Sequence, residues 1–127
     1  MIGLTEADHE ESSPNASLKL ITRLTCSLAG QEKQIRIVSG TKAHQIYRKD
    51  EVTEPFACNY GLNEAFADQI QSRQLRFSGF DNDGTARMAE LPGHSFFLAT
   101  LFVPQVNSKP GNPHPLIVAY LEAASGV

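Results

Sequence analysis

The chain has 127 residues, 11 Lys and Arg against 14 Asp and Glu, 41% hydrophobic residues and no Trp, the proportions of one modest globular domain and not of two. At this length roughly 65 to 70% of the unfolded surface is buried on folding, so a core forms without disulfides or a structural metal. A net charge of −3 with no basic stripe argues against nucleic acid as a partner.

The start, Met1-Ile2-Gly3-Leu4-Thr5-Glu6, lacks the basic and apolar regions of a secretory leader. Residues 5–17 read as a polar loop: Glu6, Asp8, Glu10 and Glu11 lead into Ser12-Ser13-Pro14-Asn15 without apolar periodicity. His9, between Asp8 and Glu10, reads as part of a solvated acidic face, because adjacent side chains on extended backbone point apart and do not converge on a metal. From Leu18 to Leu28 the apolar positions suit a short helix or a strand. Ile35 and Ile37 alternate with Gln34 and Arg36, which predicts a strand ended by Ser39-Gly40, and a short turn or helix over Ala43 to Arg48 follows. Pro55 opens an extended segment with Phe56, Cys58 and Tyr60 on one face. Cys26 and Cys58 are too few and too far apart for a zinc framework, and read as the free, buried thiols of a cytoplasmic protein.

Asn63 or Glu64 starts a short amphipathic helix to about Ser72, with Phe66, Ile70 and Leu75 inward. Leu75, Phe77 and Phe80 then form a strand, Asp81-Asn82-Asp83-Gly84 a turn, and Arg87 to Leu91 the returning partner. The nearly continuous apolar run Phe96 to Val103 predicts a central strand covered on both faces. It is also the longest apolar run, far short of the roughly 20 residues that cross a bilayer, so the protein is expected to be soluble and membrane-free. A stiff loop with Pro104, Pro110, Pro113 and Pro115 leads to a terminal helix through Leu116, Ile117, Tyr120, Leu121 and Ala124.

From Glu90 onward the sequence reads Glu-Leu-Pro-Gly-His-Ser-Phe-Phe-Leu-Ala-Thr-Leu-Phe-Val-Pro-Gln, followed by Ser-Lys-Pro, His-Pro-Leu and Glu-Ala-Ala. This layout resembles the end of the class I glutamine amidotransferase domain of CTP synthase, where an acidic-Leu-Pro-x-His turn precedes a strand ending Gln-Phe-His-Pro-Glu. Gly40, Ile46-Tyr47, Glu54, Tyr60, Asn63, Leu75 and Ser78-Gly79 fit the same spacing. Cys58-Asn59-Tyr60-Gly61-Leu62-Asn63 looks like the matching segment of a smaller, CTP synthase-related family that includes selenoproteins. The resemblance implies an α/β fold: part of a class I amidotransferase-like, flavodoxin-like three-layer domain with a mixed sheet and a C-terminal helix, spanning residues 1–127 as its C-terminal half.

The resemblance also marks what has changed. In class I amidotransferases a Cys thiolate attacks the glutamine amide, a His shuttles the proton and a Glu orients that His. Where the family has His-Pro-Glu this chain has Val103-Pro104-Gln105, so an alkyl group and a neutral amide stand in for base and carboxylate. Neither Cys26 nor Cys58 sits in the family's Gly-x-Cys-x-Gly elbow. Asn59 replaces the Arg that precedes the matching Tyr60, removing a cation suited to a substrate carboxylate, so glutamine is not an expected ligand. His94 and His114 read as turn and loop residues without a sequence-adjacent orienter. No metal or cofactor is called for.

By the same resemblance, Met1 aligns near the end of the nucleophile helix, and the apolar Phe96–Val103 segment becomes an edge that needs covering. The expectations are a homodimer or a complementary N-terminal half, with either a missed upstream start or selenocysteine codon, or a short form that works as a binding or assembly element.

Overall fold

The alternation around Ile35 folds as strand β3 (Gln31–Ile37), with Ile35 and Ile37 buried and Gln34 and Arg36 exposed. The computed structural model describes residues 4–71 and 74–126. In chain order β3 is preceded by β1 (Ala7–His9) and β2 (Leu18–Arg23), and followed by α1 (Lys42–Tyr47), β4 (Glu51–Phe56) and β5 (Tyr60–Leu62). A 3-10 turn, Glu64–Phe66, then leads into α2 (Ala67–Gln71), β6 (Arg76–Asp81), β7 (Ala86–Glu90) and β8 (Leu98–Thr100). A second 3-10 turn, Pro104–Asn107, precedes α3 (Pro115–Ser125).

The strands divide into two sheets. One has five strands in the order β4-β3-β6-β7-β8, all antiparallel; the other has three, β1-β2-β5, with a parallel and an antiparallel pairing. The mixed pairing therefore belongs to the small sheet. Ile35, Ile37, Phe56 and Met88 from the large sheet share a core with Ala43 and Tyr47 of α1 and Leu116 of α3. Gly79 on β6 packs tightly there: a Cβ would lie 3.0 Å from both Ile35 Cγ2 and Met88 Sδ, so a larger residue would push one of these side chains aside.

Helix ends follow their capping chemistry. Thr41 accepts from the His44 N–H at the start of α1, whose first turn also donates two N–H groups to the buried Glu90 carboxylate, Lys42 N at 3.1 Å and Ala43 N at 3.2 Å. The acid of the Glu-Leu-Pro turn is thus a helix cap. Asn63 caps the 3-10 turn before α2 by accepting from Ala65 N. The predicted end of that helix at Ser72, like the placement of Met1, lies outside the described residues.

Three expectations change, and one open alternative is resolved. The loop over residues 5–17 contains β1, which pairs in parallel with β2 and is tied there by Glu10, whose carboxylate accepts from Arg23 N and contacts Lys19 Nζ at 3.3 Å. The Leu18 to Leu28 segment resolves as a strand ending at Arg23. Pro55 does not open an extended face through Tyr60: Pro55 and Phe56 end β4, and Tyr60 begins β5 in the other sheet. The apolar Phe96–Val103 run is not a central strand, for only Leu98–Thr100 pairs, at the edge of the large sheet, with Ala99 exposed. Past Leu101, whose N–H still donates to Arg87 O at 3.0 Å, the backbone leaves the ladder and buries Phe102 edge-on to Phe56, ring centroids 6.0 Å apart.

The β6–β7 hairpin holds a buried ion pair. Arg87 Nε donates to Asp81 Oδ2 at 2.9 Å, and Asp81 Oδ1 accepts from Asp83 N and Thr85 N, both at 3.0 Å. Burial raises the Asp81 pKa, but the Arg87 hydrogen bond, the turn N–H groups and the guanidinium charge outweigh it and leave the carboxyl below its ordinary value of 3.8. A depressed carboxyl stabilises the fold above its unfolded pKa, and that contribution drains away as pH falls through the folded one. Urea titrations of Asp81→Asn at pH 7 are expected to show a loss of about 3 kcal/mol, and the variant should lose less stability than the parent as the pH drops below about 4.

Candidate functional site

The positions that match the family's base and orienting carboxylate lie just past β8. Phe102 points into the core, which fixes the chain direction, and Val103 N donates to Pro55 O at 2.9 Å, tying the segment to β4. Pro104 then starts the 3-10 turn, closed by Val106 N to Val103 O at 3.2 Å. Val103 is half-buried and Gln105 is exposed. The site offers an alkyl group where proton transfer would occur and an amide in solvent beside it.

The substrate-side positions belong to the small sheet and its connection. Asn59 is exposed, with Oδ1 accepting from Ser27 Oγ and its carbonyl accepting from Leu24 N at 2.8 Å. Tyr60 is half-buried at the start of β5, opposite Arg23, with its ring 5.2 Å from that of His9. His9 Nδ1 accepts from Glu11 N. Among the described residues no group of three His, Cys, Asp or Glu side chains could hold a metal ion.

His114 is not the loop residue its proline neighbours implied. It is buried at the start of α3, where Nδ1 accepts from Leu116 N at 3.2 Å and Nε2 meets Glu54 Oε1 at 2.8 Å. Because Nδ1 is an acceptor, the ring proton sits on Nε2 and is donated to Glu54. Tyr47 of α1 donates its hydroxyl to the same oxygen at 2.7 Å. Burial first, and the Glu54 hydrogen bond and charge next, push the Tyr47 pKa far above the ordinary tyrosine range, so it remains a donor. Glu54 Oε2 is buried and makes no hydrogen bond. This cluster has the composition of a His–carboxylate dyad, yet both imidazole nitrogens are committed, one to a helix N–H and one to Glu54. No lone pair remains to take a proton from a nucleophile.

Neither cysteine occupies the expected burial. Cys26 is exposed in the bend after β2, and Cys58 is half-buried in the β4–β5 connection, where its carbonyl accepts from Leu28 N at 3.2 Å. His94 is exposed in the Leu91–His94 turn, with Nδ1 accepting from Phe96 N at 3.1 Å. Sequence reasoning missed the joint role of Glu54 and Tyr47. The available signal was Glu54 between Val52 and Phe56 at period two, an acid on the inward face of a strand.

No protein-family model matches the chain. Curated relatives do: the CTP synthase of Saccharolobus solfataricus is 31% identical over 138 residues, covering all of this chain and 25% of the relative. That of Archaeoglobus fulgidus is 33% identical over 135 residues, covering 98% of this chain and 25% of the relative. Among solved structures, the glutaminase domain of Trypanosoma brucei CTPS with bound acivicin matches with a TM-score of 0.90 at 21% identity, over 99% of this chain and 53% of that one. The chain is a class I glutamine amidotransferase-like domain related to CTP synthase. It spans about a quarter of the length of these curated relatives. Among the described residues no helix of this amidotransferase-like domain is long and apolar enough to cross a membrane.

Chemical denaturation separates a structural Glu54 from an incidental one. Glu54→Ala leaves two buried donors unpaired and is expected to cost about 3 to 5 kcal/mol, whereas Glu54→Gln keeps an acceptor for both and should cost about 1 to 2 kcal/mol. Equal losses would contradict the shared-acceptor geometry.

Proposed function

We propose that this chain is a catalytically degenerate amidotransferase-like domain of the cytoplasm that does not hydrolyse glutamine by itself and serves as a binding or assembly element. The observation that carries this reading is Val103 at the end of the β8 segment, with Gln105 two residues on. An alkyl side chain accepts no proton, and a neutral amide does not stabilise an imidazolium. His114 does not replace the missing base, because its ring is spent on capping α3 and on Glu54. Asn59 brings no cation to a substrate carboxylate.

A second reading follows from the fraction of its relatives that the chain spans. It makes this chain one half of a glutamine-hydrolysing or related amide hydrolase whose Cys or selenocysteine nucleophile lies on an upstream segment. Intact mass of the protein from its native host, with the reading frame upstream of position 1, separates the two. A longer polypeptide carrying that nucleophile favours the second reading.

The direct test incubates the purified chain with glutamine and follows ammonia. The expected rate equals that of buffer, and sustained turnover that scales with protein concentration would overturn the proposal.

A further inference from the structure

Both thiols of the chain fall in one small clasp. The pairing of β2 with β5 runs on past Arg23, where Leu24 N donates to Asn59 O at 2.8 Å. The backbone then bends at Thr25 and Cys26 and returns, so that Leu28 N donates to Cys58 O at 3.2 Å. Between these two bonds Ser27 Oγ donates to Asn59 Oδ1. Residues 24–28 are thereby fastened at both ends to residues 58–59, and Cys26 stands in the middle, two residues from either anchor. Two residues of chain span at most about 7 Å, and a disulfide needs its Cα atoms about 4.4 to 6.8 Å apart. A shift of the bend is therefore all that separates the pair from bonding distance. Cys26 is exposed and Cys58 half-buried, so a dissolved oxidant reaches the first thiol while the second is partly sheltered.

We infer that Cys26 and Cys58 are a reversible thiol pair, which oxidation by glutathione disulfide joins in an intramolecular bond that locks the clasp. The Cys26 thiolate attacks one sulfur of glutathione disulfide and forms a mixed disulfide, and the departing glutathione thiolate takes up the proton that Cys26 lost. The Cys58 thiolate then attacks Cys26 Sγ and expels the second glutathione, which takes up the Cys58 proton. Two protein thiols are oxidised, and one glutathione disulfide is reduced to two glutathione thiols. The bond fastens the β2–β3 connection to the β4–β5 connection, where the chain passes from the large sheet to the small one. It closes beside Asn59 and Tyr60, so the redox state sets how firmly that surface is held. An exposed disulfide on a bend that must shift to form it is of the readily reduced kind. The inference stands whether or not the chain turns over glutamine.

The test equilibrates the chain with glutathione disulfide, reads its intact mass without reduction and maps the peptides. The expected result is a loss of two hydrogens per chain, a linked Cys26–Cys58 peptide, and full reversal by excess glutathione. Cys26→Ser and Cys58→Ser each leave one thiol, which should hold a single glutathione instead. Circular dichroism shows whether the variants fold, and Cys26→Ser, at an exposed position, is the one expected to be unperturbed. Amide exchange at Leu24 and Leu28 should slow at least about tenfold in the oxidised parent and stay unchanged in the oxidant-treated Cys26→Ser chain. Two glutathiones retained on the parent, a disulfide between two chains, no reaction, or a linked pair that leaves those amides exchanging as before would overturn the inference.

Discussion

One buried oxygen, Glu54 Oε1, joins the layers of this domain. It lies on β4 and receives the Tyr47 hydroxyl from α1 and the His114 Nε2 from the start of α3. A carboxylate without donors would be costly in the core, and the two donors would be costly without it. The three groups hold one another, and with them the positions of both helices against the sheet. His114 adds a second role, since its other nitrogen caps the helix it begins.

Under the proposed reading, that arrangement lets the scaffold persist without the family's chemistry at its centre. Val103 serves the fold through its backbone N–H to Pro55, which any residue but proline supplies, and Gln105 is exposed. The residues that hold the layers, Glu54, Tyr47, His114 and Glu90, are separate from those two, so the catalytic pair could be replaced without a matching loss of stability. A fold of this kind can outlive its reaction.

Much of the fold was legible where local chemistry decides it. The β6–β7 hairpin follows from Asp-Asn-Asp-Gly, β3 from its alternation, and α3 from the prolines before it and its apolar spacing. The Phe96–Val103 run misled, because continuous apolar character shows that side chains are buried and not that a strand is central. Its residues serve three ends: an edge strand, a turn out of the ladder, and Phe102 in the core. Residues 5–17 hid a strand for the opposite reason: β1 is held by backbone pairing and Glu10, not by an apolar face of its own. At the site, Val103, Gln105, Asn59 and Tyr60 were readable only through resemblance to a family. The His114–Glu54 contact joins residues 60 apart in sequence, beyond any local pattern.

In the proposed reading, the side chains at 103 and 105 are what silence this domain. The measurement that addresses it most directly compares ammonia release from glutamine by the parent chain and by Val103→His with Gln105→Glu, each assembled with a nucleophile-bearing complementary half. The account predicts a silent parent and measurable turnover in the double variant. Turnover by the parent, with Val103 in place, would contradict it.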